Sequence, residues 1–161
     1  MVAIDRYEQL KDLAFGAATT VAEIMAAASA HVTLIEGAFF RDLVNVGHLD
    51  PGQVTFPQDQ VYGLDRFPAA AERLLSHRGY LSTDDLAVVT EYLRHQPTAA
   101  PSSFMGVPIV ARGQVFGELF LCRLPGEPEF TYEDLELAMD LGTVIGSRIP
   151  GVEEIEREAR V

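Results

Sequence analysis

The chain has 161 residues, a length that fits one domain with a substantial buried core. Its 24 Asp and Glu outnumber its 12 Lys and Arg and give a net charge of −12, which argues against direct binding to nucleic-acid phosphates or anionic lipid surfaces. A single cysteine excludes an internal disulfide bond and a cysteine-clustered zinc site.

The first predicted element is an amphipathic helix at residues 4–30. Apolar residues recur there at steps of three and four, which places them on one face: Leu10, Leu13, Ala17, Val21, Ile24 and Ala28. Such a helix packs either on its own sheet or on the same helix of a second subunit. The N-terminus lacks the basic flank and apolar core of a signal peptide, and no apolar run reaches the roughly 20 residues of a membrane span. We therefore expect a cytoplasmic protein with no membrane partner.

Short strands and helices are predicted for the middle of the chain. Runs rich in β-branched and aromatic residues predict strands at 31–36, 39–46 and 80–82. Glycines and prolines predict a loop at 47–60, with at most a short strand near Val54. Helices are predicted at 68–77 and at 86–95. Thr83, Asp84 and Asp85 offer an N-cap for the second helix.

The C-terminal third predicts a β-hairpin followed by a helix. Two apolar runs, 104–111 and 115–122, flank a turn in which Gly113 supplies the positive φ. Thr131 is placed to cap the backbone amide of Asp134 at the start of a helix that extends to residue 149. Residues 151–161 form a charged tail.

The order of these elements predicts the fold class. A strand pair, isolated strands and a late hairpin among helices favour an α+β domain with an antiparallel sheet over a doubly wound parallel sheet. We divide the chain into an N-terminal helix at 1–30 with a dimerisation role, a domain at 31–150 and the tail at 151–161.

Several phrases in the sequence resemble one family. SFMGVPI at 103–109, GQVFGELFL at 113–121 and FTYEDL at 130–135 are together similar to the C-terminal half of a GAF domain. FRDLVNVG at 40–47 resembles the second strand of that family, and residues 68–85 resemble its helix leading into a strand that ends in acidic residues. The resemblance implies a sheet of about six antiparallel strands, with terminal helices on one face and shorter helices and loops over a ligand pocket on the other.

The resemblance also implies a class of function. GAF domains are mostly sensory or regulatory modules that bind cyclic nucleotides, haem, bilins or small metabolites, and many dimerise through their terminal helices. It therefore implies a non-enzymatic, bacterial-type domain that binds a small molecule or forms a homodimer through residues 4–30 and 132–149, in signalling or transcriptional control. The sequence shows no Ser-His-Asp order, no metal-spaced His pair and no phosphate-binding glycine loop, so no catalytic residue or metal ligand is predicted. No cofactor is required by the sequence.

Specialised branches of the family use characteristic residues, and the sequence can be searched for each of them. Bilin-binding members use a pocket cysteine next to a histidine, whereas Cys122 ends a predicted strand and precedes Arg123, so the bilin hypothesis is rejected. A single cysteine also cannot form the disulfide relay of the members that reduce methionine sulfoxide. The Asn-Lys-rich signature of cyclic GMP binding is not found, which leaves nucleotide binding unsupported. Two alternatives stay open: a haem-based gas or redox sensor with His95 as axial ligand, and a protein-interaction domain whose pocket is filled by its own side chains.

The family architecture gives a set of candidate ligand-binding residues. These are Arg66, Tyr80, Tyr92, His95, Phe104 and Glu118. Asp84 belongs to the same region but is better explained as a helix cap. Glu118 is a carboxylate in an apolar strand, where it either faces solvent or meets a cationic ligand group or an arginine. By alternation Phe116 and Phe120 share one face, and with Phe104 we expect them to form core.

Overall fold

The computed structural model describes residues 2–58, 60–95 and 103–149, with side chains from residue 7 onward. This part of the chain contains four α-helices: α1 Val2–Met25, α2 Pro68–Leu75, α3 Leu86–His95 and α4 Tyr132–Ser147. It contains six strands: β1 Ser29–Glu36, β2 Phe39–Gly47, β3 Val61–Gly63, β4 Tyr80–Leu81, β5 Ser103–Ala111 and β6 Gln114–Arg123. A single 3₁₀ turn, Leu64–Arg66, leads into α2. None of the helices in these ranges is long and apolar enough to cross a membrane.

The six strands form one antiparallel sheet in the order β3-β2-β1-β6-β5-β4. Helices α1 and α4 pack on one face, over the larger core cluster, and α2 and α3 pack on the other face, over a smaller cluster. The predicted α+β class and the predicted sheet of about six strands are confirmed.

Helix α1 buries a stripe that coincides only in part with the predicted one, since Leu10 and Val21 belong to both. The buried positions are Leu10, Ala14, Ala18, Val21 and Met25. The predicted Ile24 is 52% exposed, so that part of the prediction is wrong. The helix ends at Met25 because Ala26 takes a left-handed φ of 50°, and the chain then enters β1 at Ser29.

The hairpin of β5 and β6 contains a bulge that changes which side chains share a face. Arg112 and Gly113 form its two-residue turn with φ values of 52° and 77°. Ile109 pairs with Gly117 but Val110 pairs with Val115, so Phe116 is an extra residue on β6. Phe116 therefore packs toward the α1–α4 side, and the expectation that it shares a face with Phe120 is wrong.

A buried carboxylate of α3 holds α2 in place. Glu91 accepts hydrogen bonds from the backbone nitrogens of Ala69, at 2.6 Å, and Ala70, at 3.2 Å. It thereby supplies the N-terminal cap that Phe67, the residue before α2, does not supply. The cap of α3 itself is Asp85, one of the three predicted candidates, which accepts from the amide of Val88 at 3.3 Å. The cap role assigned to Asp84 therefore belongs to its neighbour.

Candidate functional site

A cavity of about 300 Å³ lies between the sheet and the helical layer of α2 and α3. That volume is at the lower end of the range of small-molecule sites. Strands β1, β2 and β6 supply most of its polar wall, and α2 and α3 supply Ala70, Val88 and Tyr92. The loop after β2 and the residues after β6 complete the lining, through His48, Asp50, Gln53, Leu124 and Pro125.

The first carboxyl group in the cavity is that of Glu118 on β6. The hydroxyl of Tyr80, on β4, donates a short hydrogen bond to Glu118 Oε2. Gly106 of β5 lies between the two, and a Cβ built there would overlap both the Tyr80 ring and the Glu118 carboxyl group. Burial raises the pKa of Glu118 to about 7; the negative charge of Asp42 raises this pKa further, and the hydrogen bond from Tyr80 lowers it. A glycine at position 106 is thus needed for this tyrosine–carboxyl pair.

The second carboxyl group is that of Asp42 on β2. Tyr62 Oη donates to Asp42 Oδ1 at 2.8 Å and Thr33 Oγ1 donates to the same oxygen at 3.3 Å. Burial raises the pKa of Asp42, and the two hydrogen bonds oppose that shift. Asp42 and Glu118 therefore have the same arrangement, a partly buried carboxyl group held by a tyrosine hydroxyl.

His31 of β1 lies in the cavity wall as a neutral imidazole. Its Nδ1 is 2.8 Å from Asn45 Oδ1 and its Nε2 is 2.9 Å from Ser29 Oγ. Because Asn45 Nδ2 donates to the carbonyl of Val54 at 2.9 Å, the network assigns Asn45 Oδ1 as the acceptor from His31 Nδ1–H. Nε2 then accepts from the Ser29 hydroxyl. Burial lowers the pKa of His31, so this side chain adds no positive charge at neutral pH.

Aromatic rings form the apolar walls. Tyr92 of α3 packs on Phe104 of β5 with ring centroids 4.6 Å apart, and Phe104 lies 5.4 Å from Phe120 of β6. On the β2–β3 side, Phe40 and Tyr62 are 5.4 Å apart. The cavity is therefore lined by aromatic side chains, with the two carboxyl groups on the sheet.

The free cysteine, Cys122 of β6, also lines the cavity. Burial raises the pKa of its thiol to about 12, which leaves almost no thiolate at neutral pH. The sequence alone, in which Cys122 ends a strand, does not indicate this place in the cavity. Its protonated state makes it unreactive as a nucleophile.

Four of the six candidate residues meet in this cavity and two lie outside its lining. Tyr80, Tyr92, Phe104 and Glu118 line it. Arg66 and His95 do not.

His95 is held at the end of α3 by its neighbours. Its ring packs on Phe67 with centroids 4.7 Å apart, and its Nε2 is 2.9 Å from the carbonyl oxygen of Arg66. Its Nδ1 is 3.4 Å from Arg66 Nη2. This placement gives no support to His95 as an axial haem ligand.

Sequence reasoning missed the polar groups supplied by β1 and β2. Ser29, His31 and Thr33 alternate with buried apolar residues along β1, a period-two pattern that places all three on one face. This alternation is visible in the sequence and predicts that the three polar side chains share a face. Asp42 and Asn45 are three residues apart and both line the cavity because a bulge at Leu43 shifts the register between β1 and β2, which simple alternation does not predict.

The cavity lining contains three carboxyl groups and no Lys or Arg among the described residues. Asp42, Asp50 and Glu118 line it, and no Lys or Arg is among its lining residues in the described ranges. Within the same ranges no group of three or more His, Cys, Asp or Glu side chains is placed to hold a metal ion. The arrangement is suited to binding through hydrogen bonds, negative charge and aromatic surface.

An antiparallel six-stranded sheet with helices on both faces, and a cavity under one helical layer, define a three-layer α+β domain. The family model described as GAF domain matches residues 10–149. The chain therefore belongs to the GAF domain family, a sensory and regulatory fold whose members bind small molecules or chromophores. No match was found among curated proteins.

Solved structures of other GAF domains share this fold. The blue-light-absorbing form of the PixJ GAF domain of Thermosynechococcus elongatus has a TM-score of 0.71 at 14% identity, over 96% of this chain and 93% of that one. The GAF domain/HD domain protein of Geobacter sulfurreducens has a TM-score of 0.66 at 17% identity, over 84% of this chain and 89% of that one. The GAF domain of an Acinetobacter phosphoenolpyruvate-protein phosphotransferase has a TM-score of 0.59 at 16% identity, over 89% of this chain and 80% of that one.

Proposed function

We propose that this domain is a non-enzymatic sensory module that holds a small molecule in the cavity between the sheet and α2–α3. The observation that carries the proposal is an open volume of about 300 Å³ on which carboxyl, imidazole and hydroxyl groups converge within aromatic walls. A domain whose only role was protein interaction, with its pocket filled by its own side chains, would lack that volume. Bound ligand would change how α2 and α3 pack on the sheet, and this change would be the signal to an output partner in signalling or transcription.

The polar groups of the cavity do not form a catalytic arrangement. One chain of hydrogen bonds does resemble a catalytic triad: His31 bonds to both Ser29 and Asn45, which would be a base between a nucleophile and an orienting amide. Acyl transfer also requires free amide donors for the oxyanion. Ser29 lies in β1, an interior strand that pairs with both β2 and β6 at this position, so its neighbouring amides are used in the sheet. Binding is the better-supported role.

Native mass spectrometry of the domain, purified from cells without denaturation, tests this proposal. We expect a small molecule to be retained and then released on unfolding. Val88→Phe should reduce retention because Val88 lines the cavity and is 3% exposed. The same change at Val61, exposed on the edge strand β3, is the matched control. Absence of a retained molecule, together with no thermal stabilisation by any compound of a metabolite library, would contradict the proposal.

A second proposal is that the domain forms a homodimer through α1 and α4. Both helices use their inner stripes on their own sheet, yet apolar side chains also point outward: Ile24 on α1 is 52% exposed, and Leu137 and Val144 on α4 are 43% and 48% exposed. Leu137 and Val144 are seven residues apart and so lie on one helix face.

Light scattering coupled to size exclusion measures the oligomeric state. We expect a dimer for the parent chain and a monomer for the double variant Leu137→Glu/Val144→Glu, because charges on this face would have to be buried. Leu86→Glu, at an exposed position on α3, is the control and should remain dimeric. A parent chain that stays monomeric at high concentration would rule the dimer out.

A further inference from the structure

We infer that the cavity binds a small organic cation, a molecule that carries a protonated amine or a quaternary ammonium group next to an apolar part. The inference rests on the proposed function, that this cavity holds a small molecule, and adds the chemical class of that molecule. Three features carry it: the sign of the charges in the cavity, the free carboxylate oxygens, and the aromatic walls.

The charges of the lining disfavour an anion. Asp42, Asp50 and Glu118 carry carboxyl groups, and no Lys or Arg lines the cavity within the described parts of the chain. His31 is neutral because burial lowers its pKa, and its ring nitrogens are occupied by Asn45 and Ser29. His48 is the other lining histidine and lies on the exposed loop after β2. A phosphate or carboxylate entering this cavity would leave water and meet like charges, which is unfavourable at low dielectric.

Each inner carboxyl group keeps one oxygen for a ligand. Both hydrogen bonds to Asp42 end on Oδ1, and the hydrogen bond to Glu118 ends on Oε2. Among the hydrogen bonds of the described residues, Asp42 Oδ2 and Glu118 Oε1 accept none. The tyrosines fix the two groups in place and use their own hydroxyl protons to do so. A protonated amine has N–H donors for these oxygens, and such charge-assisted bonds are about twice as strong as neutral ones.

Neither carboxyl group forms an ion pair with a Lys or Arg of the described residues, and His31, the histidine that acts on Asp42, has a pKa lowered by burial. Burial, aided by the charge of Asp42, raises the pKa of Glu118 to about 7. Burial also raises the pKa of Asp42. A cation placed between them would stabilise both ionised forms and remove their repulsion. The ligand would thus supply the positive charge that the protein does not provide.

The walls favour an organic cation over a metal ion. The aromatic side chains of Tyr92, Phe104, Phe120, Phe40 and Tyr62 line the cavity, the first three packed on one another and the last two on each other. The guanidinium of Arg66 lies over the Tyr62 ring, 5.7 Å from its centroid, so the other rings are the ones available to a ligand. Ring faces attract ammonium groups by cation–π interaction and pack well against alkyl or aryl carbon, whereas a metal ion needs a closed set of ligating atoms. No such set of His, Cys, Asp or Glu exists in the described part of the chain.

Charge-matched probes test the inference on the full chain, freed of any retained molecule. One series is phenethylamine, 2-phenylethanol and 3-phenylpropanoate, which are similar in shape but positive, neutral and negative. A second pair is choline and 3,3-dimethylbutanol, which differ in charge at equal shape. Calorimetry or thermal shift at pH 8 gives the affinities. We expect a cationic member to bind about tenfold or more tighter than its neutral counterpart, and the anion not to bind.

Two cavity variants and two controls connect the binding to the carboxyl groups. Glu118→Gln and Asp42→Asn should each weaken the cationic probe about tenfold or more and leave the affinity of the neutral probe within a factor of about two. Glu136→Gln and Asp140→Asn remove the same charges from exposed positions on α4, across the sheet, and should change neither affinity. Since either cavity variant alone can be used, misfolding of one leaves the other as the test.

The outcomes separate this inference from the proposed function. A neutral or anionic probe that binds as tightly as its cationic counterpart would overturn the cation inference and leave a small-molecule sensor standing. If no probe binds, the charge of the molecule retained in native mass spectrometry decides: a cation supports the inference and any other molecule overturns it. No binding and no retained molecule would overturn both.

Discussion

Replacing Gly146 with Ala is expected to destabilise the fold by about 2–3 kcal/mol. Gly146 and Gly142, one helical turn apart on α4, are buried against β5. A Cβ at Gly146 would overlap the carbonyl oxygen of Val110 and come within 3.1 Å of the Ala111 nitrogen; one at Gly142 would overlap the carbonyl oxygen of Pro108. These are backbone atoms of a paired strand and have little room to yield, so the helix would have to move off the sheet.

Gly16 provides the matched control for this substitution. It lies inside α1, and a Cβ built there meets no heavy atom within 4 Å. Gly16→Ala should therefore stabilise the protein by about 0.5–1 kcal/mol through helix propensity alone. Urea denaturation of both variants measures the free energy of unfolding. If Gly146→Ala is as stable as Gly16→Ala, the close approach of α4 to β5 is not what requires glycine.

The parts of the fold that were predictable from sequence are those with local causes. Thr131 caps the backbone amide of Asp134 as predicted, at 3.2 Å, because this cap depends on residues three positions apart. The Asp134 side chain also accepts from the Thr131 amide, at 2.8 Å, which completes a capping box. The hairpin turn at Arg112 and Gly113 likewise follows from positive φ at neighbouring residues. These local motifs also carried the family resemblance, which the match over residues 10–149 confirms.

The cavity was harder to predict because two strands that supply its carboxyl groups contain bulges. The bulge at Leu43 adjoins Asp42, and the bulge at Phe116 precedes Glu118 by two residues. A bulge is visible only as a change in pairing with the neighbouring strand, so alternation in one sequence cannot reveal it. Tyr62 was missed for a related reason, since β3 has three residues and is defined by its pairing with β2.

Glu118→Gln is expected to change the pH dependence of stability more than any other single substitution in the cavity. The pKa of Glu118 is raised from 4.5 to about 7, chiefly by burial, so the folded protein holds a proton that the unfolded chain has lost between these values. The unfolded state binds fewer protons at this group, so the contribution of Glu118 to the free energy of unfolding falls as pH rises from about 4.5 to 7. Above pH 7 the full cost of the buried charge remains, up to about 3 kcal/mol.

The glutamine variant should be free of this cost. Its amide is neutral at every pH, and its oxygen still accepts the hydrogen bond from Tyr80. We therefore expect ligand-free Glu118→Gln to exceed the parent chain in stability at pH 8, by about 1–3 kcal/mol. The advantage should shrink as pH falls from about 7 and vanish only below about pH 4.5, where the carboxyl group is protonated in the unfolded chain as well as in the folded protein.

Denaturant titrations at pH 5, 6, 7 and 8 measure this difference. Glu136→Gln, which removes an exposed carboxyl group from α4, is the control and should follow the parent curve. Burial raises the pKa values of Tyr62, Tyr80 and Cys122, so these neighbours of Glu118 stay protonated between pH 5 and 8 in both proteins. The charge of Asp42 raises the pKa of Glu118, so its effect is part of the measured difference. A constant difference between Glu118→Gln and the parent chain at all four pH values would show that Glu118 does not carry an uncompensated charge in the empty cavity.

A saturating cationic ligand should abolish the advantage of the variant at pH 8, because the ligand stabilises the ionised carboxylate of the parent chain and not the amide.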